Sequence, residues 1–321
     1  MSNSAKFCIV ILSIALGAFP TAAARSAHYY VGDGDATALQ QNLYDAPAGD
    51  TIIVGPGTYA LFGSFEFSHP LHLISEKGPS ETIIANYGGC IGVGGPCIGS
   101  NGFIVYGFTG SFTIKGFTIR DHQSNPISLV SDGAGIRAFA GSGIITDNIF
   151  SNNETGIYMV ESPGVVIENN LIQTTSGVGL IISSDASADI RFNTIVNNGY
   201  NVWLVNPVSV STVVRNNIIA QAGHWGVYIK GGPGTVSLSC NDIWGNASGT
   251  CTGLSTDCIG VDGNISLDPL FCSGYYLHQE SSCLGANTPA LCNGDHMGCY
   301  PIACEVATQK QSWGKVKSIF R

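Results

Sequence analysis

Ile167-Glu-Asn-Asn170-Leu-Ile172 and, 23 residues on, Ile190-Arg-Phe-Asn193-Thr-Ile195 decide how this chain is read. The same frame recurs as Ile145-Thr-Asp-Asn148, Val214-Arg-Asn-Asn217 and Leu238-Ser-Cys-Asn241, so the steps between asparagines are 22, 23, 24 and 24 residues. An apolar residue stands two positions after each one: Phe150, Ile172, Ile195, Ile219 and Ile243. Eight or nine positions after each of the first four asparagines a further short β-run begins, at Gly156, Gly179, Asn201 and Gly226. One coil earlier, in Ile114-Lys-Gly-Phe117-Thr-Ile119, Phe117 takes the asparagine position.

A period of 22–24 residues with three short β-runs is one coil of a parallel β-helix. A single coil cannot bury its inward side chains. Stacked coils place like positions about 4.8 Å apart and build a continuous core. A leucine-rich repeat needs a leucine spacing that is absent, and a propeller blade needs about 40 residues. The column Asn148, Asn170, Asn193, Asn217, Asn241 has two physical reasons. Asparagine tolerates the left-handed backbone of a sharp turn. Stacked amides also bond from coil to coil, as in cross-β ladders.

The flanks set the compartment. Lys6, the apolar run from Phe7 to Phe19 and the small residues Thr21-Ala-Ala-Ala24 read as a signal peptide over residues 1–24. No later stretch is long and apolar enough to span a bilayer, so the expected location is extracellular or periplasmic. Cys8 leaves with the signal, and ten cysteines remain as disulfide candidates: Cys90, Cys97, Cys240, Cys251, Cys258, Cys272, Cys283, Cys292, Cys299 and Cys304. Cys90 and Cys97 bracket a glycine-rich loop and can pair with each other. Paired zinc-ligand spacings are missing, so no metal is expected. No cofactor is expected either, and no ligand set speaks for calcium. A net charge of −9 disfavours nucleic acid and anionic membranes as partners. A monomer is expected.

The repeat resembles the β-helix repeats of the pectate-lyase-like superfamily. Gly49-Asp-Thr-Ile-Ile-Val-Gly-Pro-Gly-Thr-Tyr59 is similar to the opening coil of many members. Asn264-Ile-Ser-Leu-Asp-Pro-Leu-Phe-Cys272, Tyr276-Leu-His and Ser282-Cys283 resemble the closing segment of a group of secreted bacterial β-helix proteins. The resemblance implies an all-β, single-stranded right-handed parallel β-helix with a disulfide-rich C-terminal cap, and a local Cys272–Cys283 bond. The superfamily holds lyases, hydrolases, epimerases and members without a known reaction, so the resemblance implies a fold more than an activity. The expected organisation is an N-terminal cap and opening coil over 25–59, the helix over 60–250 and a Cys-rich cap over 251–304. The basic tail 305–321 carries Lys310, Lys315, Lys317 and Arg321 beside Trp313, Val316, Ile319 and Phe320. Caps are needed because a coil stack ends in unpaired strand edges.

Alternation fixes which side chains of the third run face outward. Ile157, Leu180, Val202 and Val227 point inward, and Arg137, Tyr158, Ile181, Trp203 and Tyr228 point out. A second outward column reads Phe139, Val160, Ser183, Val205 and Lys230. Tyr158, Trp203 and Tyr228 span roughly 14 Å, the reach of a short oligosaccharide, and flat aromatic faces suit sugar rings. The expected substrate-binding residues are therefore Phe139, Tyr158, Trp203, Tyr228 and Lys230, and the expected partner is a polysaccharide or cell-surface glycan. Arg137 and Lys230 lie four coils apart, roughly 19 Å, too far to share one sugar. The step from Phe117 to Asn148 is 31 residues, which places an insertion around Asp121–Asp132. That insertion makes His122, Asp132 and Arg137, with Tyr158, the candidate catalytic set for β-elimination: a base, a carboxylate clamp and an acid. The set of His224, Tyr228 and Lys230 is a weaker alternative. The clustered aspartates of inverting hydrolases are absent, which disfavours a polygalacturonase-type hydrolase. Two function classes follow: a secreted protein that binds, or also cleaves, an extracellular polysaccharide, and a non-catalytic envelope or surface β-helix. Whether it is an enzyme stays open at this stage.

Overall fold

The computed structural model describes residues 27–61, 63–86, 100–123, 133–139, 141–173, 175–184, 186–205, 211–231 and 235–300. The signal peptide, Cys90, Cys97, Asp132, Cys304 and the basic tail lie outside the described residues.

Every coil contributes one strand to each of three parallel sheets. Sheet A runs from His28–Val31 and Asp50–Val54 to Thr235–Ser239, sheet B from Gly57–Leu61 to Asp242–Trp244, and sheet C from Phe65–Phe67 to Gly249–Thr252. Among the described residues this makes eight coils, each visiting A, then B, then C. The inward column of sheet C reads Phe65, Phe103, Ile136, Ile157, Leu180, Val202, Val227, Cys251 in register. The first seven are buried, so the core tapers from aromatic to aliphatic along the axis. Gly156 stands just before such an inward residue. A Cβ there would lie 2.4 Å from the Gly179 carbonyl oxygen and 2.7 Å from Ile172, so only glycine fits this close approach.

The asparagine column is a hydrogen-bond ladder. The backbone N–H and the Nδ2 of Asn170 both donate to Asn193 Oδ1, at 3.0 Å each, and Asn193 repeats the pattern onto Asn217. Each Nδ2 also reaches an inward carbonyl of the preceding coil, as from Asn193 to Ile167. The ladder runs from Asn148 through Asn241 and gains a further rung, Asn264, from the closing segment. One expectation is corrected. The left-handed residue is not the ladder asparagine but its predecessor: Asp147, Asn169, Phe192, Asn216 and Cys240, all with φ between 54° and 56°. The turn thus frees the asparagine to aim its amide inward.

The ends differ from a simple pair of plugs. At the N-terminal end the helix Ala36–Asp45, capped by Asp35, lays Leu39 and Leu43 on the first coil. At the other end Leu254, Cys258 and Ile259 close the core. From Phe271 the chain then folds back over the outward face of sheet B as a strap. Gly298 N–H donates to the Asn216 carbonyl, Cys299 N–H to Thr194 Oγ1, and Asn197 Nδ2 to the Tyr275 hydroxyl. Beneath it lie Leu171, Val196, Ile218 and Ala220. Nearer the N-terminus, the same outward columns turn to Thr118, Arg120 and Ser151.

Two disulfides join described residues, Cys240–Cys292 and Cys251–Cys258. Cys272 is disulfide-bonded, whereas Cys283 and Cys299 are free. This overturns the Cys272–Cys283 bond. The Cys283 thiol is instead turned into the strap interface, 3.1 Å from Asp242 Oδ2.

Candidate functional site

The outward face of sheet C carries the column Glu66, Ile104, Arg137, Tyr158, Ile181, Trp203, Tyr228, Thr252, in the register alternation predicts. Phe139, Val160, Ser183, Val205 and Lys230 form the second column. Each side chain is half-buried by its neighbours, except the buried Ser183 and exposed Lys230.

Two aromatic groups stand on this face. Near the N-terminal end Tyr106 stacks on Phe139, with centroids 6.3 Å apart and planes inclined by 11°. The Arg137 guanidinium lies 4.8 Å from the Phe139 centroid and 5.3 Å from that of Tyr158. Phe139 shares a strand with Arg137, and Tyr158 is the register partner of Arg137 on the next coil, so the cation sits between one ring beside it and one ring along the axis. Such contacts hold the guanidinium plane. Farther along, Tyr200, Trp203, His224 and Tyr228 form one cluster. Tyr200 meets Trp203 at 5.2 Å, His224 at 4.7 Å and Tyr228 at 5.7 Å, and Trp203 meets Tyr228 edge-on at 5.3 Å. The indole N–H of Trp203 is enclosed and finds no acceptor among the described residues. Such an orphan donor is uncommon in a folded protein.

Tyr200 and Tyr106 were not expected at the site, and His224 was expected only in the weaker set with Tyr228 and Lys230. Tyr200 and Trp203 are three residues apart, which strict alternation puts on opposite faces. They meet because Tyr200 stands where the corner opens into the strand Tyr200–Val205. The available signal was the 24-residue step from Tyr200 to His224, the same as between neighbouring ladder asparagines.

Of the candidate catalytic set, His122 is not brought onto the face that carries Arg137 and Tyr158. His122 is turned into the corner between sheets B and C, 1% exposed. Its backbone N–H donates to Asn153 Oδ1, so it holds the corner position that Asn153 holds one coil later. Its ring faces the backbone of Ser100 and Ile84 without a well-formed hydrogen bond, and burial pushes its pKa down to about 4. A neutral, enclosed imidazole cannot reach a polymer on the outer face. Asp132 lies outside the described residues. Arg137 remains on the face, and His224 is the exposed imidazole that joins it there. Among the described residues no three His, Cys, Asp or Glu side chains gather as a metal-binding group, and no helix is long and apolar enough to cross a membrane.

On the neighbouring sheet Arg191 bridges Glu168 and Asp189, and Arg215 also bonds Asp189. Glu168, Arg191 and Arg215, in register on consecutive coils, are thus joined through the carboxylate of Asp189 on the same strand as Arg191.

A coil stack of this kind, with its asparagine corner, defines a class, and residues 101–265 match the family model described as the right-handed β-helix region. Since the match spans just over half of the chain, the protein belongs to that right-handed β-helix family. Two solved structures are similar. One is a mutant of the periplasmic alginate epimerase AlgG, at 18% identity and TM-score 0.38, covering 68% of this chain and 64% of that one. The other is a mannuronic acid-specific polysaccharide lyase of family 6 from human gut microbiota, at 12% identity and TM-score 0.23, covering 70% of this chain and 82% of that one. The chain thus spans less than two thirds of the epimerase. No curated protein matches in sequence.

Proposed function

We propose that the outward face of sheet C binds an extracellular polysaccharide laid along the helix axis. The observation that carries this is the four-ring cluster of Tyr200, Trp203, His224 and Tyr228 beside the Arg137-centred stack. Half-buried rings offer apolar surface to sugar C–H faces, while the tyrosine hydroxyls and the exposed imidazole offer hydrogen bonds to sugar hydroxyls. From Arg137 to Tyr228 the face spans four coil steps, roughly 19 Å, enough for several sugar units. Disulfides in the chain fit an oxidising compartment, where such polymers occur. With His122 enclosed, the face is read as a binding surface first.

The test is affinity electrophoresis against a panel of uronate and neutral polysaccharides, with ultraviolet absorbance followed for new unsaturated ends. Retarded migration with at least one polymer is expected, and Trp203→Ala should weaken it about tenfold, equivalent to roughly 1.4 kcal/mol. Retardation unchanged in Trp203→Ala, or no retardation by any polymer, would refute the assignment of this face. New absorbance would add cleavage to binding.

A further inference from the structure

The strap contains an arc, residues 273–291, that runs between two disulfide-bonded cysteines: Cys292 is bonded to Cys240, and Cys272 is also in a disulfide. Between these cysteines the arc is tied to the rest of the strap by the His278 N–H to the Leu270 carbonyl and the Met297 N–H to the Cys283 carbonyl, and rests on sheet B through side chains. Leu277 and Cys283 are fully buried against sheet B, in the cluster that includes Val196, Ile218 and Ala220. Asp242 ends the outward column that runs Thr194, Ile218, Asp242, and it too is fully buried beneath the arc. Its Oδ1 accepts from the Leu267 N–H at 3.1 Å, and its Oδ2 faces the Cys283 sulfur at 3.1 Å. The other group acting on the carboxyl is the Asp268 carboxylate, of like charge, while the Ser281 hydroxyl bonds the Cys283 N–H. None of these is a cation. A carboxylate enclosed without a cation is costly, whereas a carboxylic acid is tolerated there.

We propose that the arc 273–291 is a captive lid over sheet B whose catch is the buried Asp242–Cys283 pair: protonated Asp242 keeps it shut, and opening it lets Asp242 lose its proton to solvent. The Cys240–Cys292 bond keeps the arc attached to the coil stack, so the motion is local and reversible. What it uncovers is its own buried side, Leu277 and Cys283, with Asp242 beneath them.

Burial pushes the Asp242 carboxyl from 3.8 up to about 7, and burial likewise pushes the Cys283 thiol up, so the thiol stays protonated. The direction of the linkage follows. Between pH 3.8 and about 7 the shut form holds a proton that the open form releases. The opening equilibrium therefore rises about tenfold per pH unit in that window and levels off above it. The lid is shut most firmly in acid.

Labelling of Cys283 by a dipyridyl disulfide, which reacts in acid as well as at neutral pH, reads the opening. Rates in the intact, disulfide-bonded protein are followed by peptide mass spectrometry and normalised at each pH to the urea-denatured chain. Protection of Cys283 should fall by about a hundredfold or more between pH 4 and pH 7 and then stay level. In Asp242→Asn, or in Asp242→Ser should the first not fold, protection should be independent of pH. Protection that is flat with pH in the unmodified protein, or that falls equally in the Asp242 variants, would overturn the catch.

Discussion

At the corner between sheets A and B, six asparagines from Asn148 to Asn264 stand in one unbroken column. At the corner between sheets B and C the equivalent column reads His122, Asn153, Thr175, Asn198, Ala222 and Asn246. The backbones solve the same problem. In both corners a left-handed residue precedes the column: Asp147, Asn169, Phe192, Asn216 and Cys240 at the first, and Asp121, Asn152, Asn197, Gln221 and Gly245 at the second. In both, an asparagine Nδ2 reaches an inward carbonyl of the preceding coil, as from Asn153 to Ile119, Asn198 to Ile172 and Asn246 to Ile219. The difference is continuity. The first column passes an amide at every coil, whereas the second alternates amides with residues that offer only their backbone N–H, or a hydroxyl in Thr175. A corner therefore needs an inward polar group at some coils, and a full ladder is the stronger of two workable forms.

Breaking the first corner should cost most. Asn193 accepts two hydrogen bonds from Asn170 and donates to the Ile167 and Arg191 carbonyls and to Asn217 Oδ1, all from a fully buried position. Asn193→Ala strands the backbone N–H of Asn170, whose Nδ2 keeps the Ile145 and Glu168 carbonyls, and takes a partner from the Ile167 carbonyl and from Asn217 Oδ1. A loss of about 3–5 kcal/mol is expected, since several buried polar groups go unsatisfied together. Chemical denaturation at neutral pH measures it. A change below about 1 kcal/mol would show that water or a backbone shift replaces the ladder as well as the amide does.

Filling the gap in the second corner should have the opposite sign, and only in acid. His122 is neutral in the folded protein because burial holds its pKa near 4, against 6.5 in an open chain. From pH 6.5 down to about 4 the unfolded chain takes up a proton that the folded one refuses. Stability from this site is thus fully present above pH 6.5 and is lost on acidification, by about 3 kcal/mol. In His122→Asn the amide would sit where the Asn153 and Asn198 amides sit, one coil up from the Ile84 carbonyl that equivalent asparagines would bond. The acid-dependent loss should shrink by about that amount, read as stability at pH 4 relative to pH 7. An unchanged acid loss would place the titrating group elsewhere.

This contrast also explains what the sequence made legible. The first corner could be read because one residue type repeats at a near-constant step, and that step fixed the register of all three sheets. The second corner uses four residue types, so its members looked like unrelated turn residues, and His122 passed for a catalytic base on a loop. The strap was hidden for a related reason. Leu171, Val196, Ile218 and Ala220 face away from the helix interior, yet they read as ordinary core residues until a distant segment is known to cover them. At the candidate site, Trp203 and Tyr228 followed from alternation, while Tyr200 and His224 sit at the corner, where alternation begins and carries no information.

The outer face of sheet A offers the mildest version of the same stacking. Arg191 spans Glu168 and Asp189, and Arg215 holds Asp189 from the next coil, so charges alternate up the sheet as amides do at the corner. Here water replaces whatever is lost, because each of these side chains keeps 24–32% of its surface exposed. Ion pairs in that setting are worth about 1 kcal/mol or less. Arg191→Gln should therefore cost about 1 kcal/mol, and the cost should shrink at high salt as screening weakens what Arg191 contributes. Denaturation of the two proteins at low and high ionic strength checks both parts. A loss as large as that of Asn193→Ala, indifferent to salt, would mean that the outer column fixes the coil stacking as firmly as the buried one, and the contrast between corner and face would fall with it.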